Sequence, residues 1–159
     1  MSCPPDLLIL TGDWDSYEDE LYRSFLDTFV EVDIRFRDWR VTAPYRPEYK
    51  GKHFSFWHCI TEAPGKNNRN EEDRIFDLRR CERIRWIGWL IQHAEAEDVR
   101  WWENDRHGNT HVVIWAEQHD FAVVLAKRRE YYVFKTAYTE IKPHRRATFE
   151  REWKAFRGT

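Results

Sequence analysis

Three groups of residues in this 159-residue chain are of types that do chemistry. His58 closes the run Phe56-Trp57-His58, and a histidine there can give or take a proton near neutral pH. Its plain alternative is a core histidine satisfied by hydrogen bonds. Arg80 and Arg83 fall three apart within Asp77-Leu78-Arg79-Arg80-Cys81-Glu82-Arg83-Ile84-Arg85-Trp86-Ile87. That spacing puts them on an apolar helical stripe, where a guanidinium is costly to bury alone. Either carboxylates such as Asp77 and Glu82 pair with them, or the stripe opens into a cleft that takes phosphate, which the guanidinium fork binds through two oxygens. Thr136 and Tyr138 share one side of a strand end in Lys135-Thr136-Ala137-Tyr138, where they could grip a phosphate, stack or carry a proton. They are also ordinary strand residues.

The elements that must position these groups follow from periodicity. Tyr17, Leu21, Phe25 and Phe29 recur at four-residue steps behind the capping residues Asp13 to Ser16, which predicts a helix over 15–30. Leu7 to Leu10 is a candidate short strand. Alternation predicts a strand over 32–36 and extended chain over 52–60, with Phe54, Phe56 and His58 on one face. Residues 63–72 read as a mobile loop. Steps of three and four through Phe76, Arg80, Arg83, Ile87, Leu90 and Ala94 predict one helix over 72–94. Strands are expected at 99–102 and 111–116 around a turn at 104–109, then a hairpin of 121–126 and 131–137, then a helix over 144–157 behind Pro143. Helices flanking a mainly antiparallel sheet make an α+β fold in a single domain over 1–159.

Composition narrows the function. Aromatic residues reach 16%, including nine Trp, which supplies both core volume and surfaces for stacking bases. Net charge is −2 but unevenly spread. Residues 1–33 carry nine acidic side chains against Arg23 alone, whereas 34–93 carry thirteen basic and eight acidic. That is either a solvated mixed surface or a basic cleft for a polyanion. No phosphate-binding glycine loop, dinucleotide fingerprint, serine elbow or zinc-protease motif is present. Cys59 lacks the paired cysteines of a zinc deaminase, and glycine between His107 and His111 argues for a turn, so neither a metal nor a cofactor is expected. Three cysteines without paired spacing, no signal segment and no long apolar run point to a cytoplasmic protein without a membrane span.

In order and joint presence, Phe56-Trp57-His58, the Arg80-Cys81-Glu82-Arg83-Ile84-Arg85-Trp86-Ile87 segment and Tyr131-Tyr132-Val133-Phe134-Lys135-Thr136-Ala137-Tyr138 resemble the phage- and toxin-associated branch of the barnase–EndoU–colicin–RelE ribonuclease fold. The resemblance spans about residues 30 to 155, so 1–30 would be a helical addition to a nuclease core over 31–159. It implies a metal-independent endoribonuclease, and a toxin, in which His58 is acid or base, Arg80 or Arg83 stabilises charge, and Thr136 with Tyr138 serves the late strand. Lys52, Arg79, Lys127 and Lys135 would hold the RNA backbone. Such a toxin would need an acidic antitoxin or immunity protein. Two other readings stand beside it: a single-stranded RNA-binding module without catalysis, and a protein-interaction domain.

Overall fold

The computed structural model describes residues 3–65 and 67–158. Helix α1 (Trp14–Phe29) starts where Asp13 accepts a hydrogen bond from the Ser16 N–H at 2.8 Å, satisfying one of the orphan donors of the first turn. Its four-residue stripe of Tyr17, Leu21, Phe25 and Phe29 is buried. Ahead of it no strand forms at 7–10. Instead the Leu8 N–H donates to the Glu82 carbonyl at 2.9 Å, and the Tyr17 hydroxyl donates to the Leu8 carbonyl at 2.6 Å. Leu8 and α1 thus contribute to the main core.

A hairpin of β1 (Arg35–Phe36) and β2 (Trp39–Thr42) leads to α2 (Phe54–Ile60). A two-stranded ribbon of β3 (Thr61–Glu62) and β4 (Ile75–Phe76) precedes two short helices, α3 (Leu78–Glu82) and α4 (Ile84–Gln92). Then come β5 (Arg100–Arg106), β6 (Asn109–Ala116), β7 (Phe121–Lys127), β8 (Tyr131–Thr139) and α5 (Pro143–Phe156). The six-stranded sheet runs β1-β2-β8-β7-β6-β5 and is antiparallel except where β2 meets β8. This is the α+β architecture that the sequence predicts. One face packs Val112, Ile114, Leu125 and Phe134 against α1, α2 and α4; the other packs Trp102, Val113, Trp115 and Val124 under Phe149 of α5. Among the described residues no helix is long and apolar enough to cross a membrane.

Two further elements depart from the sequence reading, and both carry candidate residues. The run 52–60 is not extended: α2 occupies most of it, with Ser55, Phe56, Trp57, Cys59 and Ile60 buried. A short segment buried nearly all round shows no usable period, so chance alternation mimicked a strand. Only Phe54 and His58, four apart, share the less buried side, their rings 4.9 Å apart.

The single helix over 72–94 is also absent. Asp77 starts a new helix, accepting from the Arg79 and Arg80 N–H groups at 3.0 and 3.3 Å. Arg83, at φ −106° and ψ 17°, then breaks the path between α3 and α4. Arg80 and Arg83 therefore do not share one continuous stripe. The turn at 104–109 contracts to His107-Gly108, both at positive φ, in keeping with a two-residue hairpin turn.

β8 holds the device that aims the late-strand residues. Val124 pairs with Thr136 and Leu125 with Phe134, which leaves Lys135 as a bulge. The extra residue resets the alternation. Ala137 joins Phe134 in the core against α1 and α2, while Thr136 and Tyr138 turn to the α5 face. β2 covers only Tyr131 to Val133, so beyond Val133 the edge of β8 is flanked by α2 and α3 instead of a strand.

Candidate functional site

Arg80, Thr136 and Tyr138 meet at that edge. The Arg80 side chain is 8% exposed, and its Nη1 donates to the Thr61 carbonyl at 2.8 Å and to Thr136 Oγ1 at 3.4 Å. Asp77 at 3.5 Å and Glu62 at 4.0 Å supply opposite charge. The guanidinium lies 6.0 Å from the Tyr138 ring centroid, and Arg145 of α5 covers the same ring at 4.2 Å. Arg145 has no carboxylate partner among the described residues.

His58 stands on α2, which packs on the opposite face of the sheet from Tyr138, and it joins this group only through a relay of contacts. Its Nε2 lies 3.1 and 3.2 Å from the two carboxylate oxygens of Glu71. Arg74 approaches Glu71 at 3.9 Å and donates to the Thr61 hydroxyl at 2.8 Å and the Thr61 carbonyl at 2.7 Å. One carbonyl, that of Thr61, therefore receives both guanidinium groups. The chain of contacts runs His58, Glu71, Arg74, Thr61, Arg80, Thr136, Tyr138. Beside Arg80 a groove of about 520 Å³ opens, lined by Glu62, Phe76, Asp77, Arg79, Thr139 and Lys142.

Burial lowers the His58 pKa below its ordinary 6.5, and the positive charges of Arg74 and Lys135 push the same way. Glu71 opposes them without reversing the result. His58 is accordingly neutral at pH 7. An ionised carboxylate has no proton to give, so the ring proton sits on Nε2 and the Nδ1 lone pair is left to accept.

His53 and His111 are depressed as well, burial being the first cause for each. The sign for stability follows. These rings stay neutral in the folded chain, whereas in the unfolded chain they take protons as pH falls through about 6.5. Their contribution to stability is full above that value and is lost below it. Urea unfolding midpoints should therefore fall between pH 7.5 and 5.5, and His58→Asn should flatten the slope. A midpoint that rises on acidification would contradict the neutral state of these rings.

The remaining candidates separate. Arg83 donates to the Arg79 carbonyl at 3.3 Å, pairs with Glu82 at 3.4 Å and lies over Trp86 at 5.1 Å, away from Thr136. Arg79 pairs with Glu140 at 2.7 Å at the surface, on the groove. Lys52 pairs with Glu18 at 3.1 Å beside Tyr22. Lys127 pairs with Glu103 at 3.0 Å near Trp39, at the opposite end of the β7–β8 hairpin from Tyr138. Lys135 has no carboxylate partner among the described residues and acts electrostatically on His58.

Glu71, Arg74, Thr61 and Arg145 are absent from the sequence-derived set. A signal existed for the first two: Asn70 before three acidic residues is a helix start, and Asn70 does accept from the Glu72 N–H at 3.0 Å, ordering a short 3₁₀ turn over 71–73. Among the described residues no group of three His, Cys, Asp or Glu side chains is gathered as a metal ion would require. Comparison with protein-family models, with curated proteins and with solved structures finds no match to this chain.

Proposed function

We propose that the chain is an endoribonuclease that cleaves RNA by attack of a ribose 2′-hydroxyl on the adjacent phosphorus. The supporting observation is the joining, through Thr61, of a carboxylate-oriented neutral histidine to a buried arginine, a strand-end threonine and a tyrosine. The resemblance noted from the sequence supports the same reading.

In the proposed step His58 Nδ1 takes the 2′-hydroxyl proton, with Glu71 fixing the ring and stabilising the imidazolium that forms. The 2′-oxygen bonds to phosphorus, and the bond to the 5′-oxygen breaks as that oxygen gains a proton. The products are a 2′,3′-cyclic phosphate and a 5′-hydroxyl. Tyr138, whose ring lies 6.0 Å from Arg80 on the α5 face, would act as second proton carrier or stack a base. Thr136, held by Arg80, would contact a phosphate oxygen. Lys135 and Arg145, which have no carboxylate partners among the described residues, would offset the charge that builds there. Arg80 is in this view a positioning residue, because its Nη1 is already engaged.

The test uses end-labelled RNA in EDTA. Fragments ending in a 2′,3′-cyclic phosphate are expected, and a single 2′-deoxy substitution at the cut should block it. RNA left intact by stoichiometric protein after long incubation would overturn the proposal. Salt-sensitive retention of that intact RNA would establish a binding module instead. Whether an acidic protein neutralises such an enzyme is a separate question, answered by co-purification.

A further inference from the structure

The face of the sheet that α5 covers is covered at one end only. Directly paired residues of neighbouring strands share a face. One row is Arg100, Trp115, Ala122 and Tyr138, and the next is Trp102, Val113, Val124 and Thr136. Phe149 of α5 packs into both rows. The following row is Asn104, His111, Ala126 and Val133, and beyond it stand Arg106 and Asn109, with Arg128 in the turn before Tyr131. Glu152 of α5 reaches the first of these rows, accepting from Asn104 at 2.9 Å.

Three cations, Arg106, Arg128 and Lys135, act electrostatically on His111, and the strand register puts Arg106 and Arg128 on its side of the sheet. None has a carboxylate partner among the described residues. The Arg128 side chain donates to the neighbouring Lys127 carbonyl, at 3.3 Å. Asp105 alternates with Arg106 and faces the other way. His111 Nδ1 is shielded from solvent and makes no hydrogen bond of ordinary geometry. Tyr131, 43% exposed, adds a ring at the margin. Lys135, at the bulge, adjoins Thr136 and acts electrostatically on both His58 and His111. The patch therefore runs into the site already described.

We propose that this open half of the sheet, with Arg106, Arg128 and Lys135 around His111, is a phosphate-binding subsite for a single RNA strand, holding its backbone beyond the bond at Thr136. The inference deepens the ribonuclease reading and rests on it for the strand's direction. The charge excess selects a polyanion. Position on a solvent-facing sheet next to a ring suits an extended single strand, whose bases can stack while its phosphates track the cations. A duplex presents a broad, rigid surface that a patch a few strands wide does not match.

The experiment separates binding from cleavage. The probe is a fluorescent ten-nucleotide 2′-O-methyl RNA, which cannot be cut because its attacking hydroxyls are blocked. The parent should bind it with an affinity that falls steeply with salt. Arg106→Gln/Arg128→Gln should weaken binding about tenfold or more and reduce the salt slope by about 1.4, at roughly 0.7 per phosphate contact on a single strand. Arg151→Gln, on the outer side of α5, should not. Lys135→Gln is the second variant, read by weaker binding and a salt slope reduced by about 0.7, should the double variant fail to fold. Parental affinity in these variants, or no binding by the parent at low salt, overturns the subsite. Binding that behaves as expected in a protein that never cuts unmodified RNA would leave the subsite standing and remove the nuclease reading.

Discussion

His58→Ala is expected to lower the rate of RNA cleavage by on the order of 10²–10⁴ while leaving the fold in place, the usual effect of losing one proton-transfer group. The fold should tolerate the change because His58 is one of the two less buried residues on α2, the apolar anchors of that helix being Phe56, Trp57, Cys59 and Ile60. The pH profile makes the prediction specific. A base works only when neutral, so the parental rate should rise with pH and level off. The rise should be centred below 6.5, because burial, Arg74 and Lys135 all lower the His58 pKa. Glu71→Gln removes the one opposing influence and should move the rise to still lower pH, with a reduced plateau from the loosened ring. His58→Ala should lack the rise altogether. A variant that keeps both the parental rate and the parental profile in EDTA would show that His58 is only a partner for Glu71.

How much of this was legible in the sequence depends on what each signal encodes. Four-residue burial in α1 and the apolar runs of β6 to β8 are local and strong, so the α+β class followed from pattern alone. Thr136 and Tyr138 were placed on one face correctly. Their turn towards α5, however, depends on the Lys135 bulge, which no residue type announces. The arginines show the reverse. A three-residue spacing suggested equivalent roles for Arg80 and Arg83, yet the helix breaks at Arg83 and only Arg80 reaches Thr136. Asp77 is both the cap that starts the new helix and an ion partner of Arg80. Reading it solely as a counter-charge concealed the break. Glu71 lay in the stretch that polar composition marks as loop and Arg74 in the helix expected over 72–94, and long-range contacts with Thr61 and His58 reveal their places. Composition reports whether a segment can bury itself; it does not report whether a core element will reach out and order it.

Arg80→Ala should be the most destabilising of the site substitutions, by about 3 kcal/mol, near the lower end of what breaking a buried ion pair costs. The lower end applies because the groups left behind keep other partners. The Thr61 carbonyl retains Arg74 at 2.7 Å, and the Asp77 carboxylate retains the Arg79 and Arg80 backbone N–H groups. Glu62 is half exposed and is solvated by water once released. Arg80→Lys should recover part of the loss, since an ammonium can meet either the Thr61 carbonyl or Asp77 but lacks the planar fork that spans both and reaches Thr136. Arg80→Met should be about as stable as Arg80→Lys, because an apolar chain of similar length fills the space with no charge to desolvate. Cleavage separates the three differently. If Arg80 acts by holding Thr136, all three variants should lose activity at a temperature where each is folded, and the loss should appear in kcat rather than KM. Lysine rescuing stability without activity would identify the fork geometry as the requirement. Unfolding of Arg80→Ala at the parental urea concentration would show that the two guanidiniums on Thr61 are redundant, and that Arg74 alone holds the β8 edge to the ribbon of β3 and β4.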